Sequence, residues 1–118
     1  MANEINWNCG LTVAKNGVTL TQRASGRIDM TGNNMIGMTQ DIGTSAEAIA
    51  FGDISGVPPQ LYIENTDTTN FVLIGFTNPP TEIKLKAGEA LLMRPTTATI
   101  YAKADTAAVR IFKLACEP

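Results

Sequence analysis

Apolar and polar residues alternate along most of this chain with a period of two, the period of a strand that buries one face. Ile5-Asn6-Trp7-Asn8-Cys9 alternates in this way until Gly10. Leu11–Lys15 and Val18–Thr21 alternate again on either side of Asn16-Gly17. Asn-Gly between two such runs predicts a β-hairpin with a type I′ turn, because both central residues of that turn need positive φ. Gln22–Ile28 is mostly polar and contains Gly26, which predicts a bend or bulge. Extended structure is expected to resume over Ile28-Asp29-Met30, and Thr31–Asn34 has the composition of a loop. Met35–Ile42 then places Ile36, Met38 and Ile42 on one side of a strand.

Thr44–Phe51 is the one helix candidate, with a Ser or Thr cap and several alanines. Gly43 and Gly52 bound it closely, and its β surroundings favour a strand. Gly52–Pro59 holds two glycines and a Pro-Pro pair, which forbid a regular ladder and predict a loop crossing from one sheet to another.

Gln60–Phe76 organises the pattern. Leu61-Tyr62-Ile63 and Phe71-Val72-Leu73-Ile74 flank the polar cluster Glu64–Asn70, which reads as two strands of a hairpin joined by a turn. Thr77-Asn78-Pro79-Pro80 breaks the pattern, and Glu82–Lys86 alternates with Ile83 and Leu85 inward. After the turn Ala87-Gly88-Glu89, the continuous run Ala90–Met93 predicts a strand buried on both faces or against a partner. Arg94–Thr97 breaks again. Thr99–Lys103, the turn Ala104–Thr106 and Val109–Leu114 read as a closing hairpin.

About ten strands with breakers roughly every 8–12 residues suit an all-β sandwich or barrel. No long helix is available to cross over a parallel sheet, so pairing should be antiparallel. The expected fold is an antiparallel two-sheet β-sandwich of jelly-roll or related Greek-key topology. At 118 residues the chain is expected to form one domain, residues 1–118.

Composition narrows function mainly by exclusion. The chain has no histidine, which removes the commonest general base, the Ser-His triads and most transition-metal sites. A non-enzymatic protein without cofactor or metal is expected. Asp29, Asp41, Glu64, Asp67, Glu82 and Glu89 are spread over different turns and strands and read as turn formers rather than catalytic pairs. Asp67 with Asn65 and Asn70 offers oxygen atoms for calcium but lacks the acid spacing of an EF-hand loop, so an Asx-turn is favoured.

Net charge is −2 and the basic residues do not cluster, so no nucleic-acid partner is expected. Trp7, Tyr62, Tyr101 and Phe112 are scattered and read as core and rim residues. Trp7 and Tyr62 are the candidate stacking residues under an alternative reading as a carbohydrate-binding β-sandwich. Met30, Met35 and Met38 read as adaptable core packing. No apolar run is long enough to span a bilayer, and Met1–Trp7 lacks the basic and apolar regions of a secretory signal. A cytoplasmic origin without membrane association is therefore expected. Cys9 and Cys116 read as reduced, partly buried thiols; the competing possibility is that first and last strands lie side by side and the two cysteines face each other.

One stretch is similar to a known class. Glu64–Asn70 contains an N-x-D-x-x-N turn before a strand, Lys86–Glu89 is a KAGE turn leading into an apolar strand, and Tyr101–Ala104 reads YAKA before the last strand. In this order, over roughly residues 44–114, the chain resembles small β-sandwich virion proteins of tailed bacteriophages. The resemblance implies a structural subunit of the virion, assembled in the host cytoplasm, whose partners are the major capsid protein or other virion subunits. A capsid decoration or cement role is favoured, with a head–tail connector, tail or fibre-associated role as the alternative. No catalytic or ligand residues come with it.

Two breaker-rich segments are the candidate partner-contact loops: Val57, Pro58 and Pro59, and Phe76, Asn78, Pro79 and Pro80. Proline is already stiff, so such loops dock with little loss of conformational freedom. A homo-oligomer is expected as well, because symmetric association hides the open edges of a sandwich.

Overall fold

The computed structural model describes residues 4–118; Met1, Ala2 and Asn3, at the start of the segment read for an export signal, lie outside it. Ten strands are present and no helix is found among the described residues. All pairings are antiparallel. The chain divides into two compact units, Met1–Thr31 and Gly32–Pro118.

The first unit is a two-stranded ribbon of β1 (Ile5–Lys15) and β2 (Val18–Ile28). Its turn is the predicted one: Asn16 and Gly17 have φ of 53° and 78°, as a type I′ turn requires. The expected bend within Gln22–Ile28 is absent. Residues pair one to one from Lys15–Val18 to Ile5–Ile28, with no extra residue on either strand. Gly26 serves a different purpose there. The indole of Trp7 lies over it, and a Cβ at this position would come within 2.6 Å of the ring.

The second unit is sandwich-like. One sheet has the order β3-β10-β5-β8 and the other β4-β9-β6-β7. The first comprises β3 (Met35–Ile42), β10 (Val109–Cys116), β5 (Leu61–Asn65) and β8 (Ala90–Met93). The second comprises β4 (Glu47–Ala48), β9 (Tyr101–Ala104), β6 (Val72–Gly75) and β7 (Ile83–Leu85). Both sheets contribute to one apolar core, with Ile42, Leu61, Ile63, Val109 and Ile111 from one side and Val72, Ile74, Leu85, Ala102 and Ala104 from the other. Thr44–Phe51 supplies the short β4, in line with the strand reading.

Two predicted hairpins are instead crossings between sheets. β5 and β6 belong to different sheets, so Glu64–Asn70 carries the chain over the end of the sandwich. The same holds for β9 and β10. Alternating strands on either side of a turn look alike in both arrangements, and the difference lies in which distant strand each one pairs with. β5 pairs with β10 and β8, while β6 pairs with β9 and β7. Gly52–Pro59 lies on the link from β4 to β5 and does cross between sheets as predicted. Within the sandwich the direct hairpin is β6–β7, around Thr77–Pro80.

Three further expectations change. Ala90–Met93 forms an edge strand, half-buried rather than covered on both faces. Met35 and Met38 lie on the edge strand β3 and are exposed, so they do not act as core packing. β1 pairs with β2 whereas β10 pairs with β3 and β5, so first and last strands do not pair with each other. Cys9 and Cys116 are free thiols; Cys116 is half-buried, whereas Cys9 is exposed rather than partly buried.

Candidate partner-contact site

Strand connectivity brings both candidate loops to one end of the sandwich. The links β4–β5 (residues 49–60), β6–β7 (76–82) and β8–β9 (94–100) all leave from the same ends of their strands, as the pairings of Leu61 with Met93 and of Gly75 with Tyr101 require. The four remaining links within the sandwich gather at the opposite end.

Burial divides the predicted contact residues. Pro58, Pro59 and Pro80 are buried and Val57 is half-buried, so the proline rings pack inward and are removed from the contact surface. Phe76, Thr77, Asn78 and Pro79 stay exposed, with Phe76 presenting 41% of its surface. Burying a Pro ring involves no unsatisfied N–H, which explains why breaker residues fill the end of the core.

The exposed tip is held by Glu82. Its Oε1 accepts the backbone N–H groups of Phe76 and Thr81, each at 3.2 Å, and its Oε2 accepts the Thr77 hydroxyl at 3.3 Å. The Thr81 N–H, foremost among these donors, holds the Glu82 carboxyl below its ordinary pKa. Gly75 allows the approach, since a Cβ there would collide with the Glu82 carboxylate. A loop fixed in this way loses little freedom on binding.

A second carboxylate ties the same end together. Glu117 is nearly buried and accepts the N–H groups of Asn33, Asn34 and Ser55 and the Asn34 side-chain amide, at 2.9–3.1 Å. These bonds, that of Ser55 foremost, push its pKa down to about 2. Gly32 leaves the space this side chain occupies. Glu117 was not singled out in the sequence, because a glutamate one residue from the end carries no local signal of its partners 62 and 84 positions away.

An apolar patch was also missed. Along β10 every second residue faces the core, and this alternation places Lys113 inside and Leu114 outside. Leu114 is 52% exposed on the outer face of its sheet, where its pairing partners are Gly37 and Tyr62. Phe112 lies on the same face, with its ring centroid 6.5 Å from that of Tyr62 in an edge-on arrangement. Leu92, opposite Tyr62 on β8, extends the patch. The available signal is the inverted order Phe112-Lys113-Leu114, in which two apolar residues occupy the phase that Arg110 sets as outward.

The aromatic residues of the carbohydrate reading belong to different units, Trp7 to the ribbon and Tyr62 to the β3-β10-β5-β8 sheet. Trp7 is half-buried with its ring over Gly26. The Tyr62 hydroxyl donates to Glu64 at 2.6 Å, which raises its pKa. Tyr62 therefore sits in the apolar patch with its hydroxyl already engaged.

The polar cluster at the other end is a structural turn. Asn65 is fully buried; its Nδ2 donates to the carbonyls of Asn70 and Leu85 at 2.9 and 3.0 Å, and its Oδ1 accepts the Asp67 N–H at 2.9 Å. Asp67 Oδ2 accepts the N–H groups of Asn70 and Thr69, which lower its pKa, the Asn70 bond foremost. This is the Asx-turn arrangement favoured for these residues. Among the described residues no cluster of three or more Cys, Asp or Glu side chains is gathered so as to hold a metal ion.

No protein-family model, curated protein or solved structure matches the chain.

Proposed function

We propose that this protein is a non-enzymatic structural subunit of a tailed-phage virion, a capsid decoration or cement protein that binds across neighbouring capsid subunits. The observation that carries this reading is the strand order 3-10-5-8 over 4-9-6-7, in which every link but β6–β7 passes from one sheet to the other. Such wrapping supports reading the sandwich as a jelly roll of two interlocked Greek keys, an architecture shared by viral capsid domains and lectins. The resemblance of the turns at Glu64–Asn70, Lys86–Glu89 and Tyr101–Ala104 favours the virion side of that choice.

Two surfaces fit a protein partner. The loop Phe76–Pro79 is exposed and pre-organised by Glu82. The outer patch of Tyr62, Phe112 and Leu114 offers the apolar and aromatic character that interface cores favour. Against a glycan platform, Trp7 already lies over Gly26 and the Tyr62 hydroxyl is engaged by Glu64.

The test is co-sedimentation with undecorated capsid shells of the phage that encodes the chain. Saturable binding is expected, weakened at least tenfold by Phe76→Ala combined with Leu114→Ser. Absence of binding to shells, with clear hits on a glycan array that Tyr62→Ala abolishes, would replace this reading by carbohydrate binding.

A further inference from the structure

The β1–β2 ribbon has two unlike faces. In an antiparallel ladder, directly opposed residues share a face, so one side presents Trp7, Cys9, Leu11, Val13, Val18 and Leu20, interrupted by Gln22 opposite Leu11 and by Lys15 at the tip. The other side carries Asn6 with Arg27, Asn8 with Ser25, and Thr12 with Thr21, whose hydroxyls lie 3.1 Å apart. The apolar side is open: Leu11 is 70% exposed and Leu20 68%. A lone two-stranded hairpin is at best marginally stable in water. An alternation this regular, left uncovered, is a face built for a partner.

Dimensions and charge identify that partner. Eleven residue pairs at ~3.4 Å per residue, across two strands ~4.8 Å apart, give a strip about 37 Å by 10 Å, some 370 Å² in projection and more once side-chain relief is included. One strip already matches the largest apolar patch that monomers usually leave open. Two strips face to face approach the lower end of specific interfaces. The single charge on the strip is Lys15, at the tip. When two copies run in opposite directions, the two lysines lie at opposite ends of the paired strips, and no like charges meet.

We infer that the ribbon is a self-association element, its apolar face packing against the same face of a second copy with the two hairpins antiparallel. This inference rests on the ribbon alone and is independent of the capsid reading.

Sedimentation velocity of the full chain at tens of micromolar should show a dimer. Leu11→Asp with Leu20→Asp should weaken dimerisation at least a hundredfold, leaving the far-UV circular dichroism of the sandwich in place. Thr12→Asp, on the polar face, should leave the dimer intact. Direction is read from spin labels at Lys15→Cys in a C9S/C116S background: antiparallel ribbons hold the two tips about 35 Å apart, on the ~3.4 Å rise per residue. A monomer at these concentrations, an oligomer indifferent to the two aspartates, or labels closer than about 20 Å overturns the inference. So does a chain that stays monomeric alone and covers this face only on capsid shells or lipid vesicles.

Discussion

Glu117 stays ionised because three backbone N–H groups and an amide converge on it, and its pH response follows from that arrangement. Its folded pKa of about 2 lies below the ~4.3 of a free glutamate. A carboxylate with a depressed folded pKa stabilises the fold above its unfolded pKa, and the contribution fades as pH falls towards the folded value. Thermal melts from pH 6 to pH 2 should therefore show a falling Tm below about pH 4.5. Glu117→Gln should melt lower at pH 6 and fall less steeply in acid, while Asp67 and Glu82, also depressed, keep part of the slope. A variant curve parallel to wild type would show that Glu117 is not the responsible group. Lys113 is the opposite case. It faces the core at 1% exposure with Gln40 Oε1 at 2.6 Å, and burial lowers its pKa. Its folded state sheds the proton before the unfolded chain does, so stability rises with pH between the lowered value and ~10.4. Lys113→Met should stabilise the fold by about 1 kcal/mol near pH 7, since exchanging a buried charged group for an apolar one of similar volume is commonly neutral or favourable. The gain should shrink in alkaline urea titrations. A loss of stability at pH 7 would mean that the lysine bond to Gln40 outweighs the desolvation of its charge.

At the scale of elements, Asn65 is the joint between a strand and two turns. Its side chain bonds the Leu85 carbonyl at the end of β7 and the Asn70 carbonyl before β6, and its backbone pairs with Glu89 and Gly88 in the turn before β8. Asn65→Ala leaves two carbonyls and the Asp67 N–H without their partner in a buried setting, and should cost about 2–4 kcal/mol at ~1–3 kcal/mol per orphaned group with partial relaxation. Asn65→Asp should fail to rescue, because a carboxylate cannot donate to the two carbonyls; equal urea midpoints for Asn65→Asp and wild type would refute the donor role. These turns also show how much of the fold was legible. Asn16-Gly17 specified its hairpin completely, because a type I′ turn is a local demand on two residues. The Asx-turn at Asn65–Asn70 was legible for the same reason. What the turn joins was not. The strands around it enter different sheets, a choice made by pairing with the distant downstream strands β10 and β9. Of the candidate contact loops, Phe76, Asn78 and Pro79 are exposed as read, but proline content alone could not tell a ring that caps the core at Pro58, Pro59 or Pro80 from one that meets solvent. The Leu114 patch escaped because strand phase on β10 depends on which face Lys113 takes, and a buried lysine runs against the usual preference.

For the whole molecule, the buried core and the proposed self-association face belong to different units. Among the described residues, every buried hydrophobic side chain belongs to Gly32–Pro118, and residues 4–31 contribute none. The sandwich also closes its own chain end: Gly32 N–H donates to the Pro118 carbonyl at 3.0 Å and Glu117 N–H to the Asn34 carbonyl at 3.0 Å. A chain of residues 32–118 therefore retains the entire core and the hydrogen bonds of Glu117, and a domain of this size falls within the range that folds without staples. It should unfold in a single cooperative transition, with a Tm within a few degrees of the full chain measured at sub-micromolar concentration. At tens of micromolar the two should diverge. Association stabilises a folded state by mass action, so the full chain's Tm should climb with concentration while that of the shortened chain stays flat. A shortened chain that fails to fold would make the ribbon part of the folding unit. A concentration-dependent Tm for residues 32–118 would move self-association onto the sandwich, where the outer patch around Leu114 is the surface left to explain it.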